Sequence, residues 1–88
     1  MSTTTNKPPQ DLITEINRVL EANELAYEYD GSFSFVCEED SKKSTVAFEI
    51  EICKVTKMSL FGLHLKRVRG SIWAYKKICN KVLASLNL

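Results

Sequence analysis

The sequence predicts a two-layer α+β domain, with a four-stranded antiparallel sheet and an N-terminal and a C-terminal helix packed on one face, in the order α-β-β-β-β-α. Three observations predict it. Apolar residues recur at helical spacing near both ends, at Leu12, Ile13, Ile16, Val19 and Leu20 and again at Ile72, Tyr75, Cys79, Val82 and Leu86. Between them Val46, Phe48, Ile50 and Ile52 alternate with Ala47, Glu49, Glu51 and Cys53, the period of a strand with one buried face. Asp30-Gly31 separates two short aromatic-rich runs, a strong hairpin signal. Each helix has one apolar stripe, and a sheet face is what covers two such stripes together.

Taken in order, residues 1–10 are polar and end in Pro8-Pro9, which reads as a disordered leader or linker. The domain is then residues 11–88. Asp11 stands where a helix N-cap belongs, and the helix should end near Asn23. Leu25–Tyr29 and Phe33–Cys37 read as the hairpin strands, and Glu38–Ser44 as a charged loop. Thr45–Val55 is the long strand, followed by a turn over Thr56–Phe61. Leu63 and Leu65 point one way and Val68 breaks the alternation, which suggests a bulge near Lys66-Arg67. Gly70-Ser71 opens the last helix, with Ser71 as its N-cap. Ile78 and Leu83 widen that helix's stripe, while Lys76, Lys77 and Lys81 lie off it.

Eighty-eight residues make one small domain with a modest core. No apolar run approaches the roughly 18–20 residues of a membrane-spanning helix, and the N-terminus has no signal-peptide core. The three cysteines, Cys37, Cys53 and Cys79, lack CxxC spacing. They read as reduced thiols of a cytosolic protein with packing roles, not as a disulfide framework or metal site. No metal and no cofactor are expected, and a monomer is.

The net charge of +1 conceals a strong asymmetry. Residues 1–40 hold two bases and nine acids, net −7; residues 41–88 hold ten bases and two acids, net +8. After Glu51 there is no acid. The segment Cys53–Arg69 carries Lys54, Lys57, Lys66, Arg67 and Arg69, a basic strand-turn-strand suited to an anionic surface. His64, Lys76, Lys77 and Lys81 extend the candidate patch. Phe61 is either an exposed wedge for a lipid headgroup layer or a residue buried under the turn. Within reach of one another, the bases at the two strand ends would share a phosphate group.

Catalysis finds no constellation. His64 is the single histidine and sits mid-strand among bases, Cys79 belongs to a core stripe, and no phosphate loop or carboxylate pair is present. Gly31-Ser32-Phe33-Ser34-Phe35-Val36 has a faint likeness to an RNA-recognition strand. Asp30 and Glu38-Glu39-Asp40 on either side would repel phosphate, so no nucleic-acid partner is expected.

The runs Phe48-Glu49-Ile50-Glu51-Ile52-Cys53-Lys54-Val55, Leu60-x-Gly62-Leu63-x-Leu65-Lys66-Arg67-Val68-x-Gly70 and Trp73-x-Tyr75-Lys76 together resemble the kinase-associated 1 domain. That domain is the C-terminal module of microtubule-affinity-regulating (partitioning-defective, fungal Kin) protein kinases and their relatives. Lys81-Val82-Leu83-Ala84-Ser85-Leu86-Asn87-Leu88 resembles the way those kinases end. The resemblance implies a non-catalytic regulatory part of a cytoplasmic Ser/Thr protein kinase. It implies binding to anionic phospholipids of the phosphatidylserine type, peripheral at the inner face of the plasma membrane, or, alternatively, docking on its own kinase domain in cis as an autoinhibitor or service as a protein-protein interaction module. By position, Lys54, Lys57, Lys66 and Arg67 would contact lipid. Arg69 is a base where the family more often has a small polar residue, and His64 replaces a residue that is frequently Arg.

Overall fold

The structure, a computed structural model, describes residues 2–40, 45–55 and 60–86. In chain order it runs β1 (Ser2–Thr5), α1 (Pro9–Ala22), β2 (Ala26–Tyr29), β3 (Ser34–Asp40), β4 (Thr45–Val55), β5 (Leu60–Arg69) and α2 (Ile72–Ser85). The strands form one antiparallel sheet in the order β1-β5-β4-β3-β2. Both helices cover the same face, α1 over β2 and α2 over β4 and β5. The α+β class holds, but the sheet has five strands, not four.

The additional strand comes from the stretch expected to be a leader. Ser2–Thr5 pairs with His64–Phe61 along what would otherwise be the free edge of β5. An open edge is a row of unpaired backbone donors and acceptors, and a Thr-rich run meets that need with good β-propensity and no apolar pattern. Thr5 is buried, and its hydroxyl accepts a 3.2 Å bond from the Lys7 amide.

Helix α1 starts earlier than its expected cap. Pro8 is the N-cap and Pro9 the first helical residue, where a missing amide proton costs nothing; Asp11 instead lies in the first turn, next to the positive end of the helix dipole. The end at Asn23 is as expected. Glu24 adopts φ 58° and Leu25 N donates to Leu20 O at 3.0 Å, which closes the helix and folds Leu25 into the core.

In the β2–β3 hairpin, the Asp30 carboxylate accepts a 2.8 Å bond from the Ser32 amide, and Gly31 takes φ 83°. The charged loop expected over Glu38–Ser44 does not hold at its start, and residues 41–44 lie outside the described residues. Glu38, Glu39 and Asp40 continue β3, paired with Ala47, Val46 and Thr45, because the neighbouring strand runs alongside them and their backbone has partners. Strand β4 has the expected boundaries. The bulge lies one residue beyond its expected site: Phe48 faces Arg67 and Ala47 faces Arg69, so Val68 is the unpaired residue. Gly70 then turns the chain at φ 102°, where a Cβ would stand 2.7 Å from Thr45 O.

Helix α2 is capped as expected, with Ser71 Oγ accepting from Ala74 N at 3.2 Å. Tyr75, Ile78, Cys79 and Val82 are its buried residues. Ile72, assigned to that stripe from the sequence, is exposed, because at 3.6 residues per turn it falls on the stripe's margin at the first helical position. The core joins these side chains to Leu12, Ile16, Val19 and Leu20 of α1 and to Phe35, Cys37, Phe48, Ile50, Leu63 and Leu65 of the sheet.

Candidate functional site

Cross-strand register decides which side of the sheet each base occupies, since paired residues share a face and successive ones alternate. Lys54 faces Phe61, Ile52 faces Leu63, Ile50 faces Leu65 and Phe48 faces Arg67, all on the helix-covered side. Glu51 faces His64, Glu49 faces Lys66 and Ala47 faces Arg69, on the open side. The hairpin cations therefore do not converge. Lys54 lies five residues along β4 from the partner of Lys66, about 16 Å at the rise of a strand. That distance is beyond one phosphate group. Lys57 lies outside the described residues.

The open face interleaves acid with base. Glu28, Val36, Glu49 and Lys66 form one row across four strands; Ala26, Glu38, Ala47 and Arg69 form the next. In the second row Arg69 Nη2 lies 3.6 Å from Glu38 Oε2. Arg67, on the other side, donates to Gly70 O at 2.9 Å and so sits over the corner where β5 enters α2. Phe61 is half-buried against the core, in a cleft with Pro9, Phe33, Ile52 and Lys54. It is not an exposed wedge.

The outward side of α2 is different. Lys76, Lys77 and Lys81 are exposed, and the helix contains no Asp or Glu. Trp73, three and four residues before Lys76 and Lys77, shares their surface and is 81% exposed. The sequence pattern contained this signal, since Trp73 falls opposite Tyr75, Ile78 and Cys79 on a helical wheel. From the sequence alone it enters only as part of a motif and falls outside the candidate site.

The charge asymmetry of the sequence survives folding. Asp11, Glu15, Glu21, Glu24, Glu28, Asp30, Glu38, Glu39 and Asp40 all belong to α1, β2, β3 and their connections, on one flank of the sheet order. Lys66, Arg67, Arg69, Lys76, Lys77 and Lys81 belong to β5 and α2 on the other. β1, from the acidic half of the sequence, contributes no charge to the basic flank.

Neither buried cysteine offers a reactive thiolate. Burial, followed by the neighbouring Cys79, pushes the Cys37 thiol up to about 12, and burial raises Cys79 as well. Both stay protonated near neutrality and are poor nucleophiles. Burial is also the main reason the Tyr75 hydroxyl is pushed up to about 12; it donates to Leu65 O at 2.8 Å. Among the described residues no group of His, Cys, Asp and Glu could hold a metal ion. No helix there is long and apolar enough to cross a membrane.

Residues 44–88 match the family described as KA1, kinase associated domain 1. The chain is 39% identical over 87 residues, 99% of its length, to "Probable serine/threonine-protein kinase MARK-C" of Dictyostelium discoideum. It is 36% identical over 87 residues, 98% of its length, to the MARK-B protein of the same organism, similarly named. It is 34% identical over 86 residues, 94% of its length, to "Maternal embryonic leucine zipper kinase" of Xenopus laevis. The chain spans 11%, 12% and 13% of those three relatives. The matched module is a non-catalytic, regulatory one. With the expected motifs, the helix-sheet-helix architecture and this match in agreement, the chain belongs to the kinase associated domain 1 family.

Proposed function

We propose that this domain places a longer Ser/Thr protein kinase at anionic membrane surfaces through its basic flank. The observation that carries the reading is the outward side of α2, where Trp73, Lys76, Lys77 and Lys81 are exposed on an acid-free helix, with Arg67 at the corner that leads into it. The opposite flank holds nine of the eleven acids, so the molecule has a sign-defined direction of approach. Of the bases in the strand-turn-strand, Arg67 lies on the α2 side of the sheet, whereas Arg69 lies on the open side, 3.6 Å from Glu38. Lys66 and His64 face cross-strand glutamates, and Lys54 stands at the far end.

A base held near an anionic leaflet contributes about 1 kcal/mol. Four together give about 4 kcal/mol, an affinity on the order of 1 mM that salt screens. Co-sedimentation with phosphatidylserine-containing vesicles tests this. Binding is expected at low salt, with loss at high salt and none to phosphatidylcholine alone. Lys76→Glu with Lys77→Glu reverses two charges and should reduce binding at least a hundredfold, since each reversal counts roughly twice a neutralisation. Equal binding to neutral and anionic vesicles, or wild-type affinity in the double variant, would sink the reading.

A further inference from the structure

Trp73 is the most exposed large apolar side chain among the described residues, at 81%. Val68 and Ile72 follow at 56% and 47%. All three fall within six residues of chain, at the corner where β5 passes through Gly70 into α2. The fold buries little of Trp73 and only about half of Val68 and Ile72. Tyr75, Ile78, Cys79 and Val82 fix α2 to the sheet without Trp73, and the bulge lifts Val68 out of the ladder. An indole pairs an apolar body with an N–H that prefers to stay hydrated, which suits a boundary between water and hydrocarbon.

The surroundings select the occupant. Lys76 and Lys77 follow Trp73 by one helical turn, Arg67 and Arg69 precede it, and no acid occurs in the chain after Glu51. Apolar tips ringed by cations complement an anionic bilayer, whose headgroups attract the cations while its acyl boundary accepts the tips. Charge alone leaves the affinity weak, and firm attachment to a bilayer takes a second, apolar signal. Phe61, half-buried in its cleft, does not supply one.

We infer that Trp73, with Ile72 and Val68, is the membrane-inserting element of this domain. The indole enters the headgroup layer of an anionic bilayer while Arg67, Lys76 and Lys77 engage phosphates and carboxylates around it. This rests on the lipid reading above and assigns it an anchor. The chain has one Trp, so its fluorescence reports this corner alone. On adding phosphatidylserine vesicles to the wild-type chain, the emission should shift to the blue, and brominated acyl chains should quench it. Trp73→Ala should weaken sedimentation about tenfold with the thermal midpoint unchanged, and Trp73→Phe should restore part of the binding. Salt-sensitive sedimentation with unshifted emission and wild-type binding by Trp73→Ala would overturn the anchor and leave the lipid reading standing. Absence of wild-type sedimentation at low salt would overturn both. A blue shift with an isolated kinase catalytic domain and none with vesicles would also overturn it, and would assign the corner to a protein.

Discussion

The two helices have the same length, 14 residues, and lie side by side on one sheet face, yet their outward surfaces serve different ends. Two charged side chains of α1, Arg18 and Glu21, reach other elements of the fold. Arg18 donates to the Glu15 carboxylate at 2.6 and 2.9 Å and to Ser85 O of α2 at 3.0 Å. Glu21 accepts from the Tyr27 hydroxyl of β2 at 2.9 Å. On α2, the ammonium groups of Lys76, Lys77 and Lys81 have no hydrogen bond or ion pair among the described residues, although the Lys81 carbonyl accepts from the Ser85 hydroxyl. Both helices bury four residues to hold the domain together. What separates them is the set of side chains that the fold does not need, and on α2 those are an indole and three ammonium groups.

The sharpest break of the comparison is on the buried sides, where the helices should behave alike. Leu20→Ala on α1 and Ile78→Ala on α2 each empty a close-packed position and should cost about 2–5 kcal/mol. Trp73→Ala should stay within about 0.5 kcal/mol, as exposed substitutions do. Urea titrations of the three variants provide the measurement. A loss from Trp73→Ala as large as from Ile78→Ala would mean that the indole is structural, and the contrast between the helices would collapse.

A smaller effect separates the buried sides themselves. The buried residues of α1 are Leu12, Ile16, Val19 and Leu20, none of which titrates; α2 buries Tyr75 and Cys79 near Cys37. The Cys37 thiol ionises at about 12 in the fold against an ordinary value of 9.0. Between those values the unfolded chain binds fewer protons, so stability falls as pH rises. Its contribution is complete below 9 and gone by about 12, with a slope of up to about 1.4 kcal/mol per pH unit. Tyr75, raised from 10.0 to about 12, acts in the same direction. Thermal midpoints should therefore drop from roughly pH 9 upward, less steeply in Cys37→Ala. Identical alkaline profiles for the variant and the wild type would show that the thiol does not report the α2–sheet contact.

Much of this frame was legible in the residues. Alternation delimited Thr45–Val55, Asp30-Gly31 located the hairpin and Ser71 capped α2. β1 was not legible, because a Thr run has no apolar period and its pairing is decided by the edge that β5 presents. The start of α1 at Pro9 was hidden by Asp11, a better cap by composition that sits inside the first turn. The division of the basic segment was hidden for a different reason. Facing is set by register, and a bulge reverses facing beyond it. The pattern break at Val68 was visible, but only pairing shows that Arg67 and Arg69 fall on opposite sides of the sheet. Phe61 could not be assigned from its neighbours in sequence, because Pro9 and Phe33 come from distant parts of the chain.

The smallest expected effect concerns the seam between the acidic and basic flanks, where Glu38 of β3 meets Arg69 of β5 across Ala47. The pair is 3.6 Å apart with side chains 66% and 47% exposed for Arg69 and Glu38, so water and salt screen most of its attraction. Glu38→Gln should change stability by no more than about 0.5 kcal/mol. It also removes the acid that competes for Arg69. If Arg69 belongs with Arg67 and α2 in an anion-binding flank, vesicle affinity should rise by up to about fivefold, since one acid less is worth at most about 1 kcal/mol near an anionic surface. A loss of stability well above 1 kcal/mol would instead place Arg69 among the structural charges, as Arg18 is on α1. The free flank would then begin at Arg67 and α2 alone.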